Sequence, residues 1–360
     1  MTAALASEPP PTASLSRTRS AILVLIPVVV FLGLTALRII RRPELNLDEH
    51  IFLDVGRQIV DTGLPTRTYG EVTPKLFFDH TPLYVYFVAW LTAIGGPTAL
   101  IARSVSLVFG VLTVLLVFRI GLDVHGPGSG FVGALMLAAN PFFADFSWFV
   151  RMEVPLSFFL VLALFLLQRQ RLLLAGLAIA TAVMLKEIAL AFWLVAVAYV
   201  LIRRGARAAA IIGLPAPIVF VAWLAYADLI GQHQLLATMR RWLGSSDGSS
   251  TSVDKRLHIG PRTWAVTVIN SIIGPVLIFG SGATAALVPT LRPRIPAIVA
   301  VPIAYVVVAI VASFVIRLKE PRFLIAVIPM VALVIALLVD WDLVWARIRQ
   351  PHLTGATESR

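Results

Sequence analysis

PLYVYFVAWLTAIGG, residues 82–96, is a fifteen-residue apolar run opened by Pro82 and closed by Gly95-Gly96-Pro97. As a helix it would be about 22 Å long, against a hydrocarbon core of about 30 Å. It is therefore predicted to lie on one face of a membrane rather than cross it. Tyr84, Tyr86, Phe87 and Trp90 suit a helix at the lipid–water boundary. This reading decides the topology of the whole chain. Other apolar runs stand at 20–40, 99–119, 128–146, 154–167, 172–185, 188–202, 208–230, 264–289, 296–316 and 323–339. The basic clusters between them are Arg17/Arg19, Arg169/Arg171, Arg203/Arg204/Arg207, Arg292/Arg294 and Arg347/Arg349. Short cytoplasmic loops are the positively charged ones, and these clusters share one side only if a single run before residue 154 stays on the surface. With 82–96 in that role, about ten transmembrane helices remain and both termini face the cytoplasm.

Composition agrees with this. Of 360 residues 59% are hydrophobic and 14% charged, and the mean hydropathy is +0.90, far from a soluble domain. The expected class is an all-α polytopic membrane protein in a cell (plasma) membrane. Its net charge of +11 falls mostly on the inner side, so it is an orientation signal in a lipid bilayer and not a nucleic-acid surface. There is no cysteine, which excludes disulfides, thiolate metal sites and a cysteine nucleophile. Residues 1–19 are Pro/Ser/Ala-rich and are expected to be a disordered cytoplasmic tail, 20–340 a membrane-embedded domain, and 341–360 a short cytoplasmic tail. The expected outer loops are 41–98, with juxtamembrane helices, and 231–263. No internal repeat and no pair of matching halves is present.

With this topology the charges that loop solvation does not explain collect on the outer side. They are Asp48-Glu49, Asp79-His80, Arg151 and Glu153, Lys186-Glu187, and Lys319-Glu320 with Arg322. Charge at membrane depth is costly and is retained where it faces a polar cavity or a partner. The runs 172–185 and 188–202 have basic clusters at both far ends, so they form a hairpin whose apex is Lys186-Glu187. Activating an acceptor needs a carboxylate that takes a proton, and a phosphate leaving group needs cations. Asp48, Glu49 and Glu153 are the candidate catalytic acids; Arg151, Lys186 and Arg322 suit a donor phosphate. Asp79, His80 and Lys319 are candidate substrate contacts. Asp48 and Glu153 also have the oxygen ligands that a divalent Mg²⁺ or Mn²⁺ prefers.

The order of Leu47-Asp48-Glu49, Phe78-Asp79-His80-Thr81-Pro82-Leu83-Tyr84 and Ala102-Arg103-Ser104 resembles the GT-C superfamily of integral-membrane glycosyltransferases. The resemblance is to the group containing protein O-mannosyltransferases and aminoarabinose transferases. It continues through Asn140-Pro141-Phe142, Phe149 to Leu156, Leu185-Lys186-Glu187 and Pro321-Arg322-Phe323-Leu324, and covers about 45–330. It implies a GT-C-like fold and transfer of a sugar from a polyprenyl-phosphate donor to an acceptor hydroxyl of an envelope glycan, lipid or protein. Transfer would take place at the extracytoplasmic face, with inversion. It further implies Asp48 as the base or metal-associated carboxylate, with Glu49 beside it, and Glu153 as the second-loop acid. Arg151, Lys186 and Arg322 would surround the donor phosphate. His80 stands at the group's His-Pro position, with Thr81 intervening before Pro82. Many relatives carry a soluble C-terminal domain; this chain ends about twenty residues after its last span, so acceptor recognition is expected from the outer loops or a partner. Rival readings are a multi-span transporter or lipid flippase and a non-catalytic subunit of envelope polysaccharide assembly. The one-sided charge and the missing repeats weigh against the transporter.

Overall fold

The computed structural model describes residues 17–41, 44–78, 80–96, 98–231, 296–315, 321–339, 341 and 344–345. Helix α1 (Arg17–Arg41) leads to α2 (Leu47–Thr62), and a short antiparallel hairpin follows, β1 (Thr66–Arg67) with β2 (Lys75–Leu76). Next come α3 (Leu83–Gly95), α4 (Ala99–His125), α5 (Pro127–Ala138), α6 (Pro141–Phe146), α7 (Glu153–Gln168), α8 (Leu172–Leu185), α9 (Ala189–Arg204), α10 (Ala206–Gly213) and α11 (Pro215–Ile230). After residue 296 come α12 (Ala300–Val315), a 3₁₀ segment Pro321–Val327 and α13 (Ile328–Leu338). Among the described residues, Ile22–Ile40, Ala99–His125 and Ala206–Ile230 are long and apolar enough to cross a membrane. The expected run 264–289 lies outside the described residues.

The central element is α4, 27 residues or about 40 Å long, with α1, α5, α7 and α13 packed along it. Their apolar faces make the main core, which includes Phe31, Val114, Val117, Leu137, Phe143 and Leu160. At one end of this bundle α2 and α3 form a second layer. Ile51, Phe52, Val55, Tyr84, Val85 and Val88 pack there on Ala102 and Val105 of α4 and on Val150, Met152 and Leu185. The run 82–96 is thus a 13-residue helix lying across the bundle end. It buries Tyr84 completely and turns Trp90 and Ile94 outward.

Local chemistry explains α2 and its hairpin. Asn46 and Glu49 cap the helix reciprocally: Asn46 Oδ1 accepts from the Glu49 N–H at 3.1 Å, and the Asn46 N–H donates to Glu49 Oε2 at 3.0 Å. Gly63, at φ 78°, ends it in a left-handed conformation that favours glycine. Asp54 accepts from the Thr68 N–H and hydroxyl, each at 2.6 Å, and from the Tyr69 N–H at 2.8 Å, which pins the hairpin to α2.

One run read as continuous is interrupted. Residues 128–146 divide into α5 and α6, because Pro141 has no N–H to continue α5 and Asn140 Oδ1 accepts the new N–H groups of Phe142 and Phe143 at 3.0 and 2.9 Å. Residues 208–230 stay helical through Leu214, whose N–H donates to the Ala210 carbonyl at 3.0 Å and whose carbonyl accepts from the Ile218 N–H at 3.2 Å, so α10 and α11 continue one another. Hydropathy averaging passes over the break at Pro141. The hairpin of α8 and α9 turns at Lys186-Glu187 as expected.

Close backbone approach holds α4 to α5. A Cβ on Gly121 would lie 2.7 Å from the Gly130 backbone, and one on Gly130 would lie 2.7 Å from the Phe118 carbonyl oxygen, the small-residue packing used between helices in membranes. Gly121→Ala should therefore cost about 1–3 kcal/mol and lower the melting temperature in detergent. Gly33→Ala on α1, with nothing within 4 Å of the new methyl, should not.

Candidate active site

The outer charges meet where the second layer sits on the bundle, and they do so in pairs. Glu49, in the first turn of α2, is fully buried. Its carboxylate receives both arms of the Arg103 fork, Nε at 2.8 Å and Nη2 at 3.0 Å, and also the Val150 N–H at 3.0 Å. Arg103 lies in the second turn of α4, donates again to the Glu44 carbonyl at 2.9 Å and places its guanidinium 5.0 Å from the centre of the Trp148 ring. A buried charge pair is tolerated only when its remaining donors and acceptors are satisfied. This one meets the condition.

That knot brings the neighbouring residues together. Asp48, one residue before Glu49, is hydrogen-bonded through Oδ2 to Nη1 of Arg151, one residue after Val150. The Arg151 backbone is in turn held by Ser106 on α4, whose hydroxyl donates to the Arg151 carbonyl at 3.0 Å. Two residues on, Glu153 opens α7 and accepts from Lys186 Nζ at 2.7 Å; both side chains are almost wholly buried. Beside Lys186, Glu187 lies 3.6 Å from His80 Nδ1. Burial would raise the Glu187 carboxyl, but its contact with His80 and the charge of Lys186 outweigh this and hold it below its ordinary value. Tyr84 is fully buried, and desolvation keeps its phenol well above its ordinary range, so it is neutral.

Six of the nine expected site residues, Asp48, Glu49, His80, Arg151, Glu153 and Lys186, are therefore joined into one cluster from three loops. Asp79 and Lys319 lie outside the described residues. Arg322 belongs to the 3₁₀ segment packed against α7, and its side chain also lies outside them. Arg103 had a place in the sequence motif but no role; its position inside an otherwise apolar run was the signal. Ser106 carried no signal at all, since small polar residues are common in such helices. Among the described residues no three His, Asp or Glu side chains converge, and Asp48 and Glu153 each face a cation. The described side chains alone do not make a metal centre.

The far end of the bundle has a network of its own. Asp123 on α4 pairs with Arg119 at 3.0 Å and with Arg169, just past α7. Arg103 and Glu153 thus mark one end of α4 and α7, and Asp123 and Arg169 the other, so the two helices run in the same direction.

Comparison with known proteins gives this arrangement a setting. Residues 79–227 match a family profile described as dolichyl-phosphate-mannose-protein mannosyltransferase. The fold is similar to that of ArnT from Cupriavidus metallidurans bound to undecaprenyl phosphate, with 16% identity, a TM-score of 0.66, and 89% of this chain and 60% of that one covered. The apo state of the same protein gives 17%, 0.65, 88% and 59%. An Archaeoglobus fulgidus oligosaccharyltransferase tethered to an acceptor peptide gives 14%, 0.50, 93% and 50%. No curated protein matches by sequence. The chain spans about 60% of the length of the ArnT structure. Its all-α fold is similar to that of the ArnT structures.

Breaking a buried ion pair by removing one partner costs about 3–5 kcal/mol, whereas replacing both partners by apolar groups costs far less. Glu49→Met and Arg103→Met should each lower the melting temperature sharply, and the double variant should recover most of the loss. Equal and additive losses would show that the pair is not the fastening.

Proposed function

We propose that this chain is an integral-membrane glycosyltransferase. It moves a sugar from a polyprenyl-phosphate donor to an acceptor hydroxyl at the extracytoplasmic face of the plasma membrane, in a single inverting displacement. The observation that carries this reading is the joining of Asp48, Arg151, Glu153 and Lys186, from three separate loops, at one end of a GT-C fold. Carboxylate and cation side by side are what the transfer requires: one takes the acceptor's proton, and the other stabilises the phosphate that leaves. Charge that served only for solvation would have no reason to converge from three loops.

Exposure separates the three acids. The Asp48 side chain is 29% exposed, against 0% for Glu49 and 3% for Glu153. An acceptor can reach Asp48 alone. Asp48 is then the base, held in place by Arg151, while Glu49 is a positioning residue that fixes the first outer loop against the second. Lys186, with Arg151 and Arg322, receives the donor phosphate. In an inverting reaction the acceptor and the leaving phosphate stand on opposite faces of the sugar. Asp48 on α2 and Lys186 at the apex of the α8–α9 hairpin supply those two sides from different elements. The matched family and the undecaprenyl phosphate held by the ArnT relative support the choice of donor class.

Asp48→Asn keeps the shape and removes the base, so transfer from a labelled polyprenyl-phosphate sugar in membranes should fall by about 100-fold or more. Because Asp48 is partly exposed, the variant should keep the wild-type melting temperature. Unimpaired transfer would remove Asp48 from the mechanism.

A further inference from the structure

Glu153 opens α7 and Lys186 stands at the apex of the α8–α9 hairpin, with Met152 and Leu185 beside them in the apolar second layer. Both charges are almost fully buried and meet at 2.7 Å. Each side chain balances the charge of the other in a position almost closed to solvent. We propose that Glu153 is the resident counter-ion of Lys186, that the phosphate of the lipid donor or product displaces it, and that this exchange sets the affinity for lipid phosphate. The inference rests on the reading of the site as a polyprenyl-phosphate site and assigns Glu153 a function within it.

The physical case is one of competition between anions. A buried ammonium must be paired, and its attraction to an anion is strengthened by the low dielectric around it. Lys186 has three N–H donors on one point charge. A phosphate that approaches it also approaches the Glu153 carboxylate, so the two anions repel at close range where water screens little. Each lipid phosphate that binds must therefore overcome Glu153, and each one that leaves is replaced by it. A counter-ion of this kind weakens binding and speeds release of the polyprenyl phosphate product. Arg151 differs, because its partner Asp48 is partly open to water.

The test is binding of undecaprenyl phosphate to the purified full chain in nanodiscs, with undecaprenol, which lacks the phosphate, as the control. Glu153→Gln leaves Lys186 charged and removes the competing anion, so it should bind undecaprenyl phosphate about tenfold more tightly with undecaprenol binding unchanged. Lys186→Met should lose the preference for the phosphate. Where Glu153→Gln does not fold, Glu153→Asp, which keeps the charge but withdraws it by one methylene, should show a smaller tightening. Binding by either folded variant that is equal to or weaker than wild type overturns the counter-ion role while leaving the donor class intact. A wild-type chain that binds undecaprenyl phosphate no better than undecaprenol overturns both.

Discussion

The buried contact of Glu49 with Arg103 and the Val150 N–H is the constraint on which the candidate site depends. It joins the first turn of α2, the second turn of α4 and the loop before α7 at one carboxylate. Asp48 and Arg151 each neighbour one of those three points. Asp48 is adjacent to Glu49, and Arg151 is adjacent to Val150, so fastening the inner residues delivers the outer two to each other. Glu153 follows at the head of α7, and its reach to Lys186 brings in the α8–α9 hairpin. A buried pair of this kind contributes little net stability compared with an apolar alternative. Here it fixes register between the three segments.

The apolar layers explain why the register holds. The main core along α4 ends where Ala102 and Val105 begin the second layer, and the charges lie at that boundary. On the site's outer side, α2 and α3 cover them with Phe52, Tyr84 and Val88. On the other side lies the apolar core of the bundle. Charges held between two such layers cannot relax into water, so each of them has a partner. Asp48, at the open edge, is the exception in exposure and for that reason the best placed to meet a substrate.

Much of this was legible in the chain itself. The gathering of Asp48, Arg151, Glu153 and Lys186 at one end of the bundle was expected from loop charge and from the shortness of 82–96, because charge at membrane depth is rare enough to carry meaning singly. Who pairs with whom was not legible. Glu49 and Asp48 are adjacent acids in sequence, and only the capping of α2 by Asn46 turns one inward to Arg103 and the other outward to Arg151. The break at Asn140-Pro141 was missed because one polar residue and one proline barely lower the hydropathy of a nineteen-residue window, although they decide where an N–H can find an acceptor. Arg103 was visible as a charge in an apolar run, but nothing in the linear order pointed to Glu49, 54 residues away.

The central claim is that these paired charges serve a chemical step on a lipid-linked sugar rather than its passage across the membrane. Mass spectrometry of the lipid recovered after incubating the purified chain, in vesicles, with a panel of polyprenyl-phosphate sugars and membrane-derived acceptors tests it most directly. The account expects one donor to lose its sugar and appear as free polyprenyl phosphate, with an equal amount of glycosylated acceptor. Recovery of every donor intact, with its sugar merely moved to the other leaflet, would contradict it.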